Sequence, residues 1–421
     1  MIVCQRHGCA VGRVCHALTS RAVFRSPAFK RACVLSLGLC TISGMTGCQR
    51  IEAADLQEPD ARRALTTYAD IAHAAYADAV SEARGLIGAI DTLLASPTQE
   101  NLERTRAAWL RARVPYAQTE VFRFYDGPID AVEIWVNTWP IDESYVEAEP
   151  AAGSGMIDDA ERFPELTRKL LIEQNAKAGE TSIASGYHVI EFLLWGRDLS
   201  RDGPGARPAS DFDVSVADAR AASLARRRGQ YLRVATQLLA EQLETVADAW
   251  RVRPGNYRAA FLARPPREAL ALVLKGMGAL SGAELAGERL TVAYETKHQE
   301  NEHSCFSDST HLDLAGNARG VLNVCRGRYR RPNGTEISGF GVCVLLRERE
   351  PRLSGLLSDQ IDASVRAIEA IPPPFDTAIL GSDAAPSRKA VAAAIAALQQ
   401  QTQTLGEIAT ALALSAPRAT R

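Results

Sequence analysis

In the run Gly186 to Leu199, GYHVIEFLLWGRDL, one histidine and one glutamate stand three residues apart among side chains that are otherwise almost wholly apolar. In a helix, His188 and Glu191 share a face and can point at one spot. An isolated buried carboxylate is costly, so Glu191 needs a hydrogen-bonded or cationic partner, or a metal. Two chemistries are open at this point: a metal or ligand site, or a His-Glu pair satisfied by neighbouring side chains.

A second polar cluster lies in ERLTVAYETKHQENEHSCFSDSTHLD. Glu295 and His298 are spaced i, i+3, as are Glu300 and His303, a spacing that helical bundles use to hold metals. For Glu295 and His298 a solvated helix end is the competing reading. Glu302, His303, Asp308, His311 and Asp313 are more suggestive, because Cys305 and Phe306 among them return the chain toward the core. In AWLRARVPYAQTEVFRFYDGPID, Trp109, Tyr116 and Glu120 fall on one helical face. Glu120 thus sits where an apolar residue is expected and is a candidate metal ligand beside His188 and Glu191.

The elements that must position these groups are helical. Tyr231, Val234, Leu238, Val246 and Trp250 recur at helical spacing, and so do Val391, Ile395, Leu398, Leu405, Ile408 and Leu412. No run alternates with period two over several strands, short pairing around Ile337 to Leu346 excepted, so the fold class expected is all-α. After a leader about 370 residues remain, more than one helical core usually holds. Two helical bundles are therefore expected, over 60–205 and 206–421, divided at the GPGARP loop.

Basic and acidic side chains number 48 and 50, which argues against a nucleic-acid partner. The apolar stretch from Ala32 to Met45 is too short to span a membrane and about right for the core of a signal peptide. Six basic residues from Arg6 to Arg31 precede it, and the first acidic residue is Glu52. Met45-Thr46-Gly47-Cys48 resembles a lipobox, so residues 1–48 read as an export signal that ends in lipidation of Cys48. Export implies an oxidising compartment. Cys325 and Cys343 lie nearly symmetrically about the Asn333-Gly334 turn and are expected to pair, leaving Cys305 as a buried thiol.

No HExxH, GxSxG, P-loop or CxxCH occurs. What does occur is Gly186-Tyr187-His188-Val189-Ile190-Glu191 with Leu193-Leu194-Trp195-Gly196, then PYAQTEVFRF, GPID, NTWPIDE, GMGALSGAELAGERL and QENEHSCFSDSTH. These pieces resemble the imelysin-like family, in its iron-regulated protein A branch, whose signature is GxHxxE. They span roughly residues 60 to 350 in the family's order. The resemblance implies two helical-bundle domains, export to the periplasm or outer membrane, frequent lipidation, and a role linked to iron uptake beside other iron-uptake proteins.

Tyr187 and Arg123, which lie in the matching pieces, join Glu302, His303, Asp308 and His311 as candidate ligand-binding residues. A divalent or ferric ion, iron or zinc, suits a carboxylate and imidazole set. Two functions follow: a lipid-anchored protein that binds iron or an iron-containing ligand, or a metal-dependent peptidase or hydrolase with Glu120 or Glu302 as base.

Overall fold

A stripe of buried residues runs the length of the first helix, α1 (Glu58–Ala95): Ala61, Leu65, Tyr68, Ala72, Tyr76, Ala79, Ala83, Leu86, Ile90 and Leu93. Every step is three or four residues, the pattern of one apolar helix face. The computed structural model describes residues 58–148, 155–200 and 203–414. Cys48 and the rest of the leader lie outside them.

Against α1 pack α2 (Gln99–Ala117) and the long α6 (Ala219–Trp250). Thr98 caps α2 by accepting a hydrogen bond from the Asn101 amide, and Asp218 caps α6 in the same way at Ala221. Between them come a 3-10 turn at Glu120–Phe122, the short helices α3 (Glu143–Val146) and α4 (Arg168–Gln174), and α5 (Tyr187–Trp195). α7 (Tyr257–Ala263) leads to α8 (Pro266–Ala279), which runs unbroken through a π-helical segment, Leu280–Thr291, into α9 (Val292–Thr296). α10 (Thr310–Arg326) is followed by an antiparallel ribbon of β1 (Arg328–Arg330) and β2 (Glu336–Ser338), with Tyr329 opposite Ile337. α11 (Val342–Arg347), α12 (Pro351–Glu369), α13 (Phe375–Ile379) and α14 (Pro386–Ala411) complete the order.

The protein is all-α, the ribbon being the one sheet among the described residues. The ribbon starts earlier than the expected pairing, because the chain past Gly341 turns into α11. The helix Pro266–Thr296 is long and apolar enough to cross a membrane, although no such segment was expected; two thirds of its apolar window is buried within the fold, as in a core helix. Contacts cross the expected division at 205/206. α6, on one side of it, lies along α1 on the other, α10 packs on α2, and the described chain forms one contact unit. Helices of 38 and 32 residues are long enough to run through both halves of the core.

The sulfurs of Cys325, at the end of α10, and Cys343, at the start of α11, are bonded at 2.08 Å and tie off the ribbon. Cys305 is a free, buried thiol.

Candidate functional site

α5 is buried at every position from Tyr187 to Trp195. Glycines bound it at both ends, Gly186 at φ +100° and Gly196 at φ +77°, conformations that residues with a Cβ rarely adopt. At Gly186 the carbonyl of Val136 passes so close that a Cβ would lie 2.7 Å from its oxygen, and that carbonyl accepts the Tyr187 amide at 2.8 Å. The loop through Val136 is thereby clamped onto the start of α5, and its next residues, Asn137 and Trp139, lie against His303.

On α5, His188 Nδ1 lies 3.0 Å from Glu191 Oε2. The other carboxylate oxygen of Glu191 accepts from the amide of Ser307 at 3.0 Å and from its hydroxyl at 2.7 Å. Burial pushes Glu191 up to about 8 and His188 well below its usual value, so the pair carries no net charge at neutral pH. His188 Nε2 is buried without a hydrogen-bond partner.

The His188 ring meets His303 edge to face at 4.6 Å. His303 is built in the same way: its Nδ1 is 3.0 Å from Asp313 Oδ2, and its Nε2 meets only the Asn137 amide nitrogen, at 3.5 Å. Asp313 also accepts from Ser304 Oγ at 2.5 Å and from Arg113 at 2.9 and 3.0 Å. Although burial opposes its charge, Arg113 holds Asp313 well below the ordinary carboxylate range. His303, lowered to about 4 by burial and by Arg289, is neutral at pH 7, so its Nδ1–H donates to Asp313 and the lone pair lies on Nε2. Two imidazoles thus stand face to edge, each with Nδ1 engaged by a carboxyl group and Nε2 free or weakly held. This is the arrangement by which proteins orient a histidine toward a metal.

Beside His303 opens a cleft of about 270 Å³, lined by Asn137 and Trp139 and by Arg123, Arg289 and Glu284. Arg289 and Glu284 come from the π-helical segment and are five residues apart, with 2.7 Å between Nη2 and Oε1. An i, i+5 pair faces one way only where the backbone bonds also run i to i+5, as the bond from the Val292 amide to the Gly287 carbonyl does. Arg289 continues inward to Asn317, at 2.5 Å, and to Glu120, at 2.8 Å.

Several expected site residues take other roles. Glu120 is engaged by arginines: its Oε2 is held by Arg123 at 2.7 Å and by Arg289, which offset its burial and keep its carboxyl down at about 2. Glu191 has its oxygens engaged by Ser307 and His188. Among the described residues no three His, Cys, Asp or Glu side chains are gathered at metal-ligand spacing, His188, Glu191 and Glu120 included. Tyr187 is a packing residue, its hydroxyl donating to the Ala112 carbonyl at 3.2 Å under the Arg113 guanidinium. Glu295, His298 and Glu300 are exposed. Glu302, Asp308 and His311 belong to a separate acidic group, and of the expected ligand-binding residues only Arg123 and His303 line the cleft.

The imelysin family model (peptidase M75) matches residues 72–405. The chain belongs to the imelysin family. Iron-regulated protein A of Synechococcus elongatus is 25% identical over 311 residues, 72% of this chain and 73% of the relative. The crystal structure of an iron-regulated protein A precursor from Parabacteroides distasonis superposes with a TM-score of 0.65 at 19% identity, covering 86% of this chain and 97% of that one. An imelysin-like protein from Psychrobacter arcticum gives 0.52 at 14% identity, over 86% and 95%. At these identities the two structures show a shared imelysin fold.

The imelysin site also holds residues not singled out from sequence: Arg113, Asn137, Ser307, Glu284 and Arg289. Arg113, on a buried face of α2, was as anomalous as Glu120. Glu284 and Arg289 carried no such signal, because a spacing of five is silent when helices are read in threes and fours.

Proposed function

We propose that this imelysin is an exported, lipid-anchored binding protein that captures an iron-containing ligand at the cleft beside His303, against whose ring His188 packs. The observation that carries the reading is the pair of buried imidazoles whose Nδ1 atoms are engaged by Glu191 and Asp313 while His188 Nε2 has no partner. Two imidazoles do not complete the shell of a bare iron ion, and the nearby carboxylates are engaged elsewhere. The better-fitting ligand is an iron complex that brings most of its own donors. An imidazole would take the remaining position and Arg123 and Arg289, at the cleft wall, would hold the complex's anionic oxygens. The naming of the Synechococcus relative for iron regulation supports the choice of metal. Export is supported by the basic leader ending at Cys48 and by the Cys325–Cys343 disulfide.

The test is calorimetric titration of the mature protein with ferric citrate, hydrated ferrous ion and zinc. Ferric citrate should bind tightest, and His188→Ala and His303→Ala should each weaken it by about tenfold or more with the helical circular dichroism unchanged. A wild-type protein that binds none of the three, or variants that bind as the wild type does, would overturn the reading.

A further inference from the structure

Opposite the cleft side of the segment 299–311 lies a group of carboxylates that the iron-binding reading does not use. Glu302 is 1% exposed, and neither of its carboxylate oxygens has a hydrogen-bond partner. Asp308 is 8% exposed, and the side chain its carboxyl meets is another carboxyl, that of Asp198. The charged groups that act most strongly on Glu302 are all acidic: Asp376, which is buried, Asp308, and Asp198. Asp308 in turn faces Asp376 and Asp198. Burial and these neighbours push Glu302 up to about 9 and Asp308 to about 7.

A buried carboxyl group with no hydrogen bond to either oxygen loses the full solvation of the group and gains nothing in return. Packing alone gives no reason for it, since a glutamine or leucine would fill the same space at lower cost. Gathering like charges around it worsens the balance, and only a cation reverses the sign. The group is held by the end of α5 through Asp198, by the turn before α10 through Glu302 and Asp308, and by α13 through Asp376. A bound cation would therefore tie together three segments distant in sequence.

We propose that Glu302, Asp308 and Asp376, with the half-buried Asp198 at the rim, form a second site that takes a hard divalent cation of the calcium or manganese class. Carboxylate oxygens are the donors such cations select, and calcium accepts mono- or bidentate carboxylates in flexible geometry. The side chains are not yet at ligand spacing around one point. Drawing them together costs mutual repulsion, which a charge of two compensates. The site shares no residue with the His188-His303 cleft, and its partially exposed member, Asp198, gives the route of entry.

The experiment is thermal unfolding and calorimetric titration of the mature protein, stripped with chelator, against calcium and manganese chlorides at pH 7.5. Either cation should raise the melting temperature in a saturable manner, with a dissociation constant no weaker than about 1 mM. Glu302→Gln and Asp308→Asn should each weaken that binding by about tenfold or more while ferric citrate binding stays as in the wild type, and His188→Ala should do the reverse. Asp198→Asn, at the rim, serves where a buried variant fails to fold and should weaken the cation at least a few-fold. A wild-type protein indifferent to both cations overturns the site, as does a response that all three carboxamide variants retain.

Discussion

At the scale of single residues, most of the polar interior is settled by who holds which carboxylate. Glu120 and Asp313 are each met by arginines, and both are kept ionised. Glu191 is met by a serine and an imidazole and is pushed the other way. Glu120 allows a signed prediction. Its pKa in the folded protein, about 2, lies below the ordinary 4.5, so its contribution to stability is present above pH 4.5 and is lost as pH falls toward 2. Unfolding measured across pH should show the wild type weakening in that window. Glu120→Gln should be less stable by about 3 kcal/mol at pH 7, because Arg123 and Arg289 lose a buried partner, and its acid slope should be shallower. An unchanged slope would mean that Glu120 does not carry this charge.

At the scale of elements, the ends of α5 decide where His188 points. Gly186→Ala forces a Cβ against the Val136 carbonyl at a positive φ, and should cost roughly 1 to 3 kcal/mol in chemical denaturation and weaken ferric citrate binding with it. Gly85→Ala, in the middle of α1 with nothing within 4 Å of the new carbon, should instead be neutral or gain up to about 1 kcal/mol. Equal losses from the two would show that Gly186 is not a special position.

Much of this level was legible beforehand. The stripes of α6 and α14 follow from apolar spacing, and the apolar surround of His188 and Glu191 announced an interior helix. The π-helical segment was not legible, because its residues are those of an ordinary amphipathic helix and its change of register depends on what it packs against. Nor could spacing show that Glu120 would meet two arginines, one of them 169 residues away. The group around Glu302 was visible as acidic residues near a histidine; the burial of Glu302 among other carboxylates was not.

At the scale of the molecule, the contacts that cross 205/206 matter more than the number of bundles. α1 lies along α6 and also meets α8 and α11, so the first helix touches elements from most of the chain. A protein cut in the GPGARP loop should therefore stay associated rather than part into two folded halves. The leader bears on the same scale. On the proposed lipid anchoring, Cys48→Ser should move the protein from the membrane to the soluble fraction of the periplasm, a shift readable by fractionation and immunoblot. A variant that stays with the membrane would show that some other segment holds it there.

The bond between Glu191 and Ser307 spans 116 residues, and that between Arg113 and Asp313 spans 200. During synthesis, then, α5 is complete long before the segment that satisfies its glutamate exists. For that interval α5 has α2 and then α6 to pack on, but Glu191 lacks the serine that satisfies it and His188 lacks the ring of His303. A chain halted near residue 290 should leave the His188–Glu191 side of α5 open to hydrogen exchange and proteases, and protection there should appear only when the residues from 303 to 313 arrive. Contacts this distant also place the protein among slow folders for its helix content. On the proposed export, which threads the chain across a membrane before it folds, that delay is an advantage.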